Sequence, residues 1–287
     1  MSNSAPKKIG FEPLHDAHAI EQVVFAIQFD GQLDDSAFNE ITDILVPLTG
    51  ELPKKEPLFR ANLTFSVVNS LTSRPISGVT QSTPAIPFGM MYQSVQPDGV
   101  IGNEFVVDRG SIMFRTTLYT RWAETWSRGR NYCDAILGKY LAKAGVSLVS
   151  LNYVDKFVWR GVPAECHPEW LLRPKSNYLC PYVYETTELW HSHTGAFSRV
   201  DDNTKRLMNV NIDHLDEIKH DRVQRIIAIS TVLSDQLNQP GYEKFILAEN
   251  QGNSFLDSKM QQLHDFGKIV FANVINDDMC KRIALNT

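Results

Sequence analysis

From Gln22 onward hydrophobic and polar positions alternate, with Val23, Phe25, Ile27 and Phe29 on one side and Gln28 and Asp30 turning the other side polar. A period of two marks a strand that buries one face. Asp34-Asp35-Ser36 then precede Phe38, Ile41, Ile44 and Leu45, which is capping chemistry followed by helical spacing. Beyond Pro53 and Pro57, the alternation of Leu63, Phe65 and Val67 with Asn62, Thr64 and Ser66 predicts a second half-buried strand.

Residues 70–100 are rich in Ser, Thr, Pro and Gly and read as a long loop or irregular edge, a natural contact surface. Phe105-Val106-Val107 and Ile112-Met113-Phe114 predict a hairpin around Asp108-Arg109-Gly110, with Gly110 supplying a positive φ. The clearest helix follows: Trp122, Trp126, Cys133, Ile136, Leu137, Tyr140 and Leu141 fall on one stripe, and Gly145 stands where a C-terminal cap is expected. In the next strand Val149, Leu151, Tyr153, Phe157 and Trp159 share a face, and Asp155 is the polar exception on it.

Pro163, Pro168 and Pro174 mark the segment from Val162 to Asn177 as a connection. After it come three extended stretches, Tyr182 to Trp190, Met208 to Ile212 and Ile226 to Leu233. A long C-terminal helix carries Leu256, Met260, Leu263, Phe266, Val270 and Val274 on one stripe, and Asn276-Asp277 predicts a break or new cap. This order implies an α+β fold of two packed halves with mainly antiparallel sheets. We expect a flexible tail at 1–10, an N-terminal half at 11–161 and a C-terminal half at 177–287.

At 287 residues the chain has room for one large or two tightly joined domains, and its 43% hydrophobic content is that of a globular protein. The net charge of −5 argues against non-specific nucleic-acid binding, although it leaves room for a local basic groove. Four cysteines without a CxxC pair, and an N-terminus without an apolar run, imply free thiols in a reducing cytoplasm.

Candidate chemistry is sparse. The Gly138-Lys139 and Gly267-Lys268 pairs lack the remaining glycine and hydroxyl of a phosphate loop. Cys166-His167, Cys180 and His191-Ser192-His193 cluster in sequence but match no standard zinc spacing, so no metal or cofactor is expected. Asp213, Glu217 and Lys219 are the residues a metal-dependent nuclease would use, and equally a solvated charged turn. Arg121, Arg128 and Arg130, with Lys139 and Lys143, give the aromatic helix a basic edge and are the candidate nucleic-acid-binding residues. Asp155 is either a site with a shifted pKa or a buried carboxylate satisfied by backbone donors, the commoner case.

Several segments together resemble a sporadically distributed family of uncharacterised bacterial proteins. They are Ala19-Ile20-Glu21-Gln22-Val23 through Phe29, which resembles I-x-E-A-V-x-x-I-x-F, and the aromatic element Tyr119 to Trp126. The strand Leu151-Asn152-Tyr153-Val154-Asp155-Lys156 resembles L-R-Y-I-N-R. The helix from Leu263 to Met279 resembles one in which the family reads Thr-Asp-Lys. Gln22, Asp155 and Asn276-Asp277-Asp278 depart from the pattern. The resemblance carries no catalytic residues; its patchy distribution implies mobile genes and an accessory or regulatory role in anti-phage defence. Three readings follow: a non-enzymatic interaction or regulatory subunit with a protein partner from the same operon or a second copy of itself; a nucleic-acid binder or nuclease; and a small-molecule sensor with a pocket between the halves.

Overall fold

The computed structural model describes residues 10–59, 87–219, 221–247 and 251–285. Among them, ten strands join in one antiparallel sheet. In chain order the elements are β1 (Phe11–Pro13), β2 (Ile20–Phe29), α1 (Asp35–Ile44), β3 (Lys54–Phe59), β4 (Pro87–Val95), β5 (Ile101–Asp108), β6 (Ser111–Thr116) and α2 (Trp122–Leu141). These are followed by β7 (Val146–Trp159), β8 (Trp190–Arg199), β9 (Thr204–Lys219), β10 (Arg222–Leu237), α3 (Gly252–Val274) and α4 (Asp277–Arg282). The sheet runs β3-β4-β5-β6-β2-β7-β10-β9-β8, with β1 paired to the end of β7. The α+β expectation and the long C-terminal helix therefore hold.

The succession β4-β5-β6-β2 on one side of the β2–β7 seam is mirrored as β8-β9-β10-β7 on the other, and a helix follows each set, α2 and then α3. Phe25 pairs with Leu151 across that seam. Helices cover the face that carries Val23, Phe25, Ile27, Phe114 and Leu151, and the alternate residues of the same strands stay more open, as the period-two pattern requires. A second cluster, built on Phe157, Ile212, Ile229, Val270 and Val274, fills the β9–β10 side.

Local chemistry explains most boundaries. The Asp34 side chain accepts from the Ala37 N–H and opens α1. The Asn276 side chain accepts from the Met279 N–H at 2.9 Å and starts α4, the expected new cap. Helix α2 lies so close to the sheet that a Cβ at Gly129 would stand 2.8 Å from Phe114 and 3.0 Å from Phe25. Two packed rings leave little room to yield, so Gly129→Ala is expected to lower unfolding free energy by about 1–2 kcal/mol, overpacking outweighing the helix propensity gained. A rise in the urea midpoint would show instead that the rings move aside freely.

Four expectations need correction. Residues 87–95 of the expected loop form β4, because Met90 and Tyr92 give it apolar side chains and β3 and β5 pair with both its edges. Gly110 has no positive φ; the two-residue turn is held by Asp108, whose carboxylate accepts from the Gly110 N–H and the Ser111 hydroxyl. Gly145 does not cap α2, which ends at Ala142 in right-handed geometry, and its N–H donates to Asp30. Finally, the stretch from Tyr182 begins as a 3₁₀ turn at Pro181–Tyr184, and the strand starts only at Trp190. The strand expected at Leu63 to Val67, residues 70–86 of the loop and most of the N-terminal tail lie outside the described residues.

Candidate functional site

Asp155 stands at the middle of β7, opposite Ile20 of β2 on one side and Ile229 of β10 on the other. Strand periodicity turns it toward the helices, where the seam passes beneath the N-terminus of α2 and the middle of α3. There the two helices leave a cavity of about 250 Å³. Asp155 and Thr231, 4% and 2% exposed, lie at its base, and Tyr119, Trp122, Tyr153 and His264 line it. Two cations also line it, the exposed Arg121, which is the residue before α2, and the half-buried Lys268 of α3.

The aromatic walls brace one another. Trp122 lies parallel to His264, with ring centroids 4.2 Å apart, and donates its indole N–H to Gln261. The Tyr153 hydroxyl is 2.8 Å from His264 Nδ1, and Tyr119 meets Tyr153 and His18 edge-on. The base is different: the Asp155 carboxyl makes no hydrogen bond or ion pair among the described residues. Thr231 Oγ1, also at this pocket, is buried without a partner among the described residues. Of the two readings of Asp155, a shifted site or a carboxylate satisfied by backbone donors, the geometry fits the first.

Electrostatics follow from that burial. Desolvation alone pushes the Asp155 carboxyl up to about 8. Burial, and then the nearby Asp155, push the Tyr119 phenol up to about 12, and burial holds Tyr153 well above the usual phenol range. Burial lowers His264 to about 4 and lowers His18 as well, with His15 adding to the second shift. At neutral pH the phenols and imidazoles around Asp155 are therefore uncharged.

The residues singled out from the sequence are dispersed. Arg121 belongs to the pocket, Arg128 Nη1 lies 3.5 Å from Asn103 of β5, and Arg130 is bound by Asp134 at 3.3 Å and Asp257 at 2.6 Å. Lys139 is bound by Glu40 and Lys143 by Asp34. The Cys166 thiol sits 3.5 Å from His214 Nε2, and burial pushes it up to about 12, so it is not a poised nucleophile. His191 pairs with Asp213, Cys180 is exposed on its 3₁₀ turn, and among the described residues no three ligands converge as for a metal. Glu217 pairs with Lys156, which also holds Glu21. Cys133 is a buried hydrophobe, as its place on the helix stripe implies.

Sequence reasoning marked Asp155 but missed Tyr119, His264, Thr231 and Lys268 as its neighbours. Trp122 packs on the core against Phe25 and Trp126, as its place on the helix stripe implies, and is half-exposed at the pocket as well. No local signal joins these positions, because they come from separate segments that meet only when both helices cross the seam. Comparison with protein-family models, curated proteins and solved structures gives no match. No described helix is long and apolar enough to cross a membrane.

Proposed function

We propose that this chain is a non-enzymatic regulatory subunit that senses a small molecule at the seam pocket, in the cytoplasm, beside a protein partner or a second copy of itself. One observation carries the reading: a carboxyl group 4% exposed, with no partner among the described residues, at the base of an aromatic-walled cavity. Such a group destabilises the fold unless something supplies its missing partners, and a ligand seated in the cavity would supply them. Binding fits better than turnover, since the phenols and imidazoles nearby are held far from neutral pKa values and make poor proton relays for Asp155. The mirrored strand order supports two packed halves with the pocket at their junction. The accessory role in a mobile defence system rests on the family resemblance alone.

Thermal-shift measurements with amines, amino acids, nucleotides, sugars and organic acids test the reading. At least one class is expected to raise the melting temperature of the wild type by several degrees, as about 100-fold excess over Kd does, and to leave Asp155→Leu unmoved. If no class does so, or if the shift survives in Asp155→Leu, the pocket is not the sensor.

A further inference from the structure

The arrangement of charge around this pocket narrows the ligand. Resting on the ligand-binding reading above, we propose that the pocket takes an adenine nucleotide, its base edge on Asp155 and its phosphate between Arg121 and Lys268.

Three independent features converge on that chemistry. At the base, Asp155 and Thr231 need a ligand edge that both donates and accepts, since a protonated carboxyl offers one O–H and one carbonyl oxygen side by side. Adenine presents the complementary pair, a ring nitrogen acceptor beside an amino donor. The walls are flat rings, Tyr119, Tyr153 and the stacked Trp122 and His264, which suit a planar aromatic body. At the opening, Arg121 and Lys268 make no ion pair among the described residues, unlike Arg130 and Lys139 on the same helix as Trp122. Arg121 also precedes a 20-residue helix whose N-cap makes no side-chain hydrogen bond; the first turn carries one carboxylate, Glu124, which bonds to Thr120.

Simpler ligands fit only one end. An amine that satisfied Asp155 would face two unpaired cations, and a plain anion bound by those cations would leave Asp155 and Thr231 unpartnered. An amino acid carries its two charges side by side, whereas here the acceptor is buried and Arg121 is exposed. The cavity of about 250 Å³ lies just under the usual range of about 300–1,000 Å³ for ligand pockets, which suits one nucleotide unit and not a dinucleotide.

Calorimetric titration of the full chain with AMP, adenosine, GMP and ATP tests this. AMP is expected to bind with micromolar Kd, adenosine about tenfold more weakly, and GMP not measurably. Arg121→Ala and Lys268→Ala should each weaken AMP by about five- to tenfold and leave adenosine unchanged. Asp155→Leu should abolish both, and Asp155→Asn, which keeps a donor beside an acceptor, should retain AMP binding. The charged and titratable groups lining the pocket with Asp155 are His18, Tyr119, Arg121, Tyr153, His264 and Lys268, and Asp265 acts on Tyr153 and His264 from beside it. The imidazoles are lowered and the phenols raised, so Asp155 is the group expected to titrate between them. Above about pH 7.5, where a phosphate with a second pKa of about 6 keeps constant charge, AMP affinity should fall with pH in the wild type and stay flat in Asp155→Asn. GMP binding better than AMP, or AMP affinity equal to that of adenosine, overturns the assignment. If amines or sugars stabilise the wild type while no nucleotide binds, the ligand class is wrong and the sensor reading stands. If no compound of any class binds, both fail.

Discussion

Asp155→Asn is expected to raise the melting temperature at pH 8 by about 5–10 °C and to change it little at pH 4. The sign follows from the two pKa values. In the unfolded chain the carboxyl titrates near its ordinary 3.8, and in the folded chain burial moves it to about 8. Between them the folded protein holds a proton that the unfolded protein has lost, so stability falls as pH rises through that window and levels off above it. A shift of about four pKa units corresponds to roughly 5 kcal/mol, and compact unfolded states reduce it. Asparagine keeps the shape and cannot ionise, so the variant loses that slope. Melting curves of both proteins from pH 4 to pH 9 check the result; a variant less stable at every pH would mean that partners hold the carboxylate in place.

The opposite outcome is expected at Asp235. This residue of β10 is fully buried and receives both arms of the Arg206 guanidinium, at 2.6 and 2.9 Å, and the Lys259 ammonium at 3.3 Å. Lys259 also donates to Thr204, and Arg206 lies over the Phe266 ring. Asp235→Ala leaves two cations, each 7% exposed, without their central acceptor. The expected loss is about 3–5 kcal/mol, read as a lower urea midpoint with an unchanged slope. Replacing Arg206, Asp235 and Lys259 together by apolar residues of similar volume should recover much of that loss. A single variant within 1 kcal/mol of wild type, roughly the worth of a surface pair, would show that water reaches the site and screens it.

These two buried carboxylates show what the sequence could and could not disclose. Asp155 was legible because it interrupts an otherwise apolar strand face, and the strands around Val23 to Phe29 and Val149 to Trp159 were legible because one face of each is buried and the period of two survives. Strand β4 was not, because Pro87, Gly89 and Ser94 have loop composition and only pairing with its neighbours makes the segment extended. Strand β3 contains Pro57, which reads as a breaker but is tolerated at β3, the edge of the sheet among the described residues. Arg121 was read with Arg128 and Arg130 as one basic edge. Its place before the first helical residue, outside the helix's own periodicity, sends it to the pocket while Arg130 turns to Asp257. The residues that line the pocket with Asp155 arrive from α2, α3, β10 and the segment before β2, and no periodicity connects them.

The mirrored strand order also sets a sequence of events in time. The β4-β5-β6 and β8-β9-β10 meanders each close through short turns, whereas the β2–β7 seam must bring position 25 to position 151. Neighbouring contacts close shorter loops at less entropic cost, so the meanders are expected to form before the seam. The pocket straddles that seam and is absent from any species in which it is still open. A ligand bound at the pocket is therefore expected to leave the refolding rate nearly untouched and to slow unfolding.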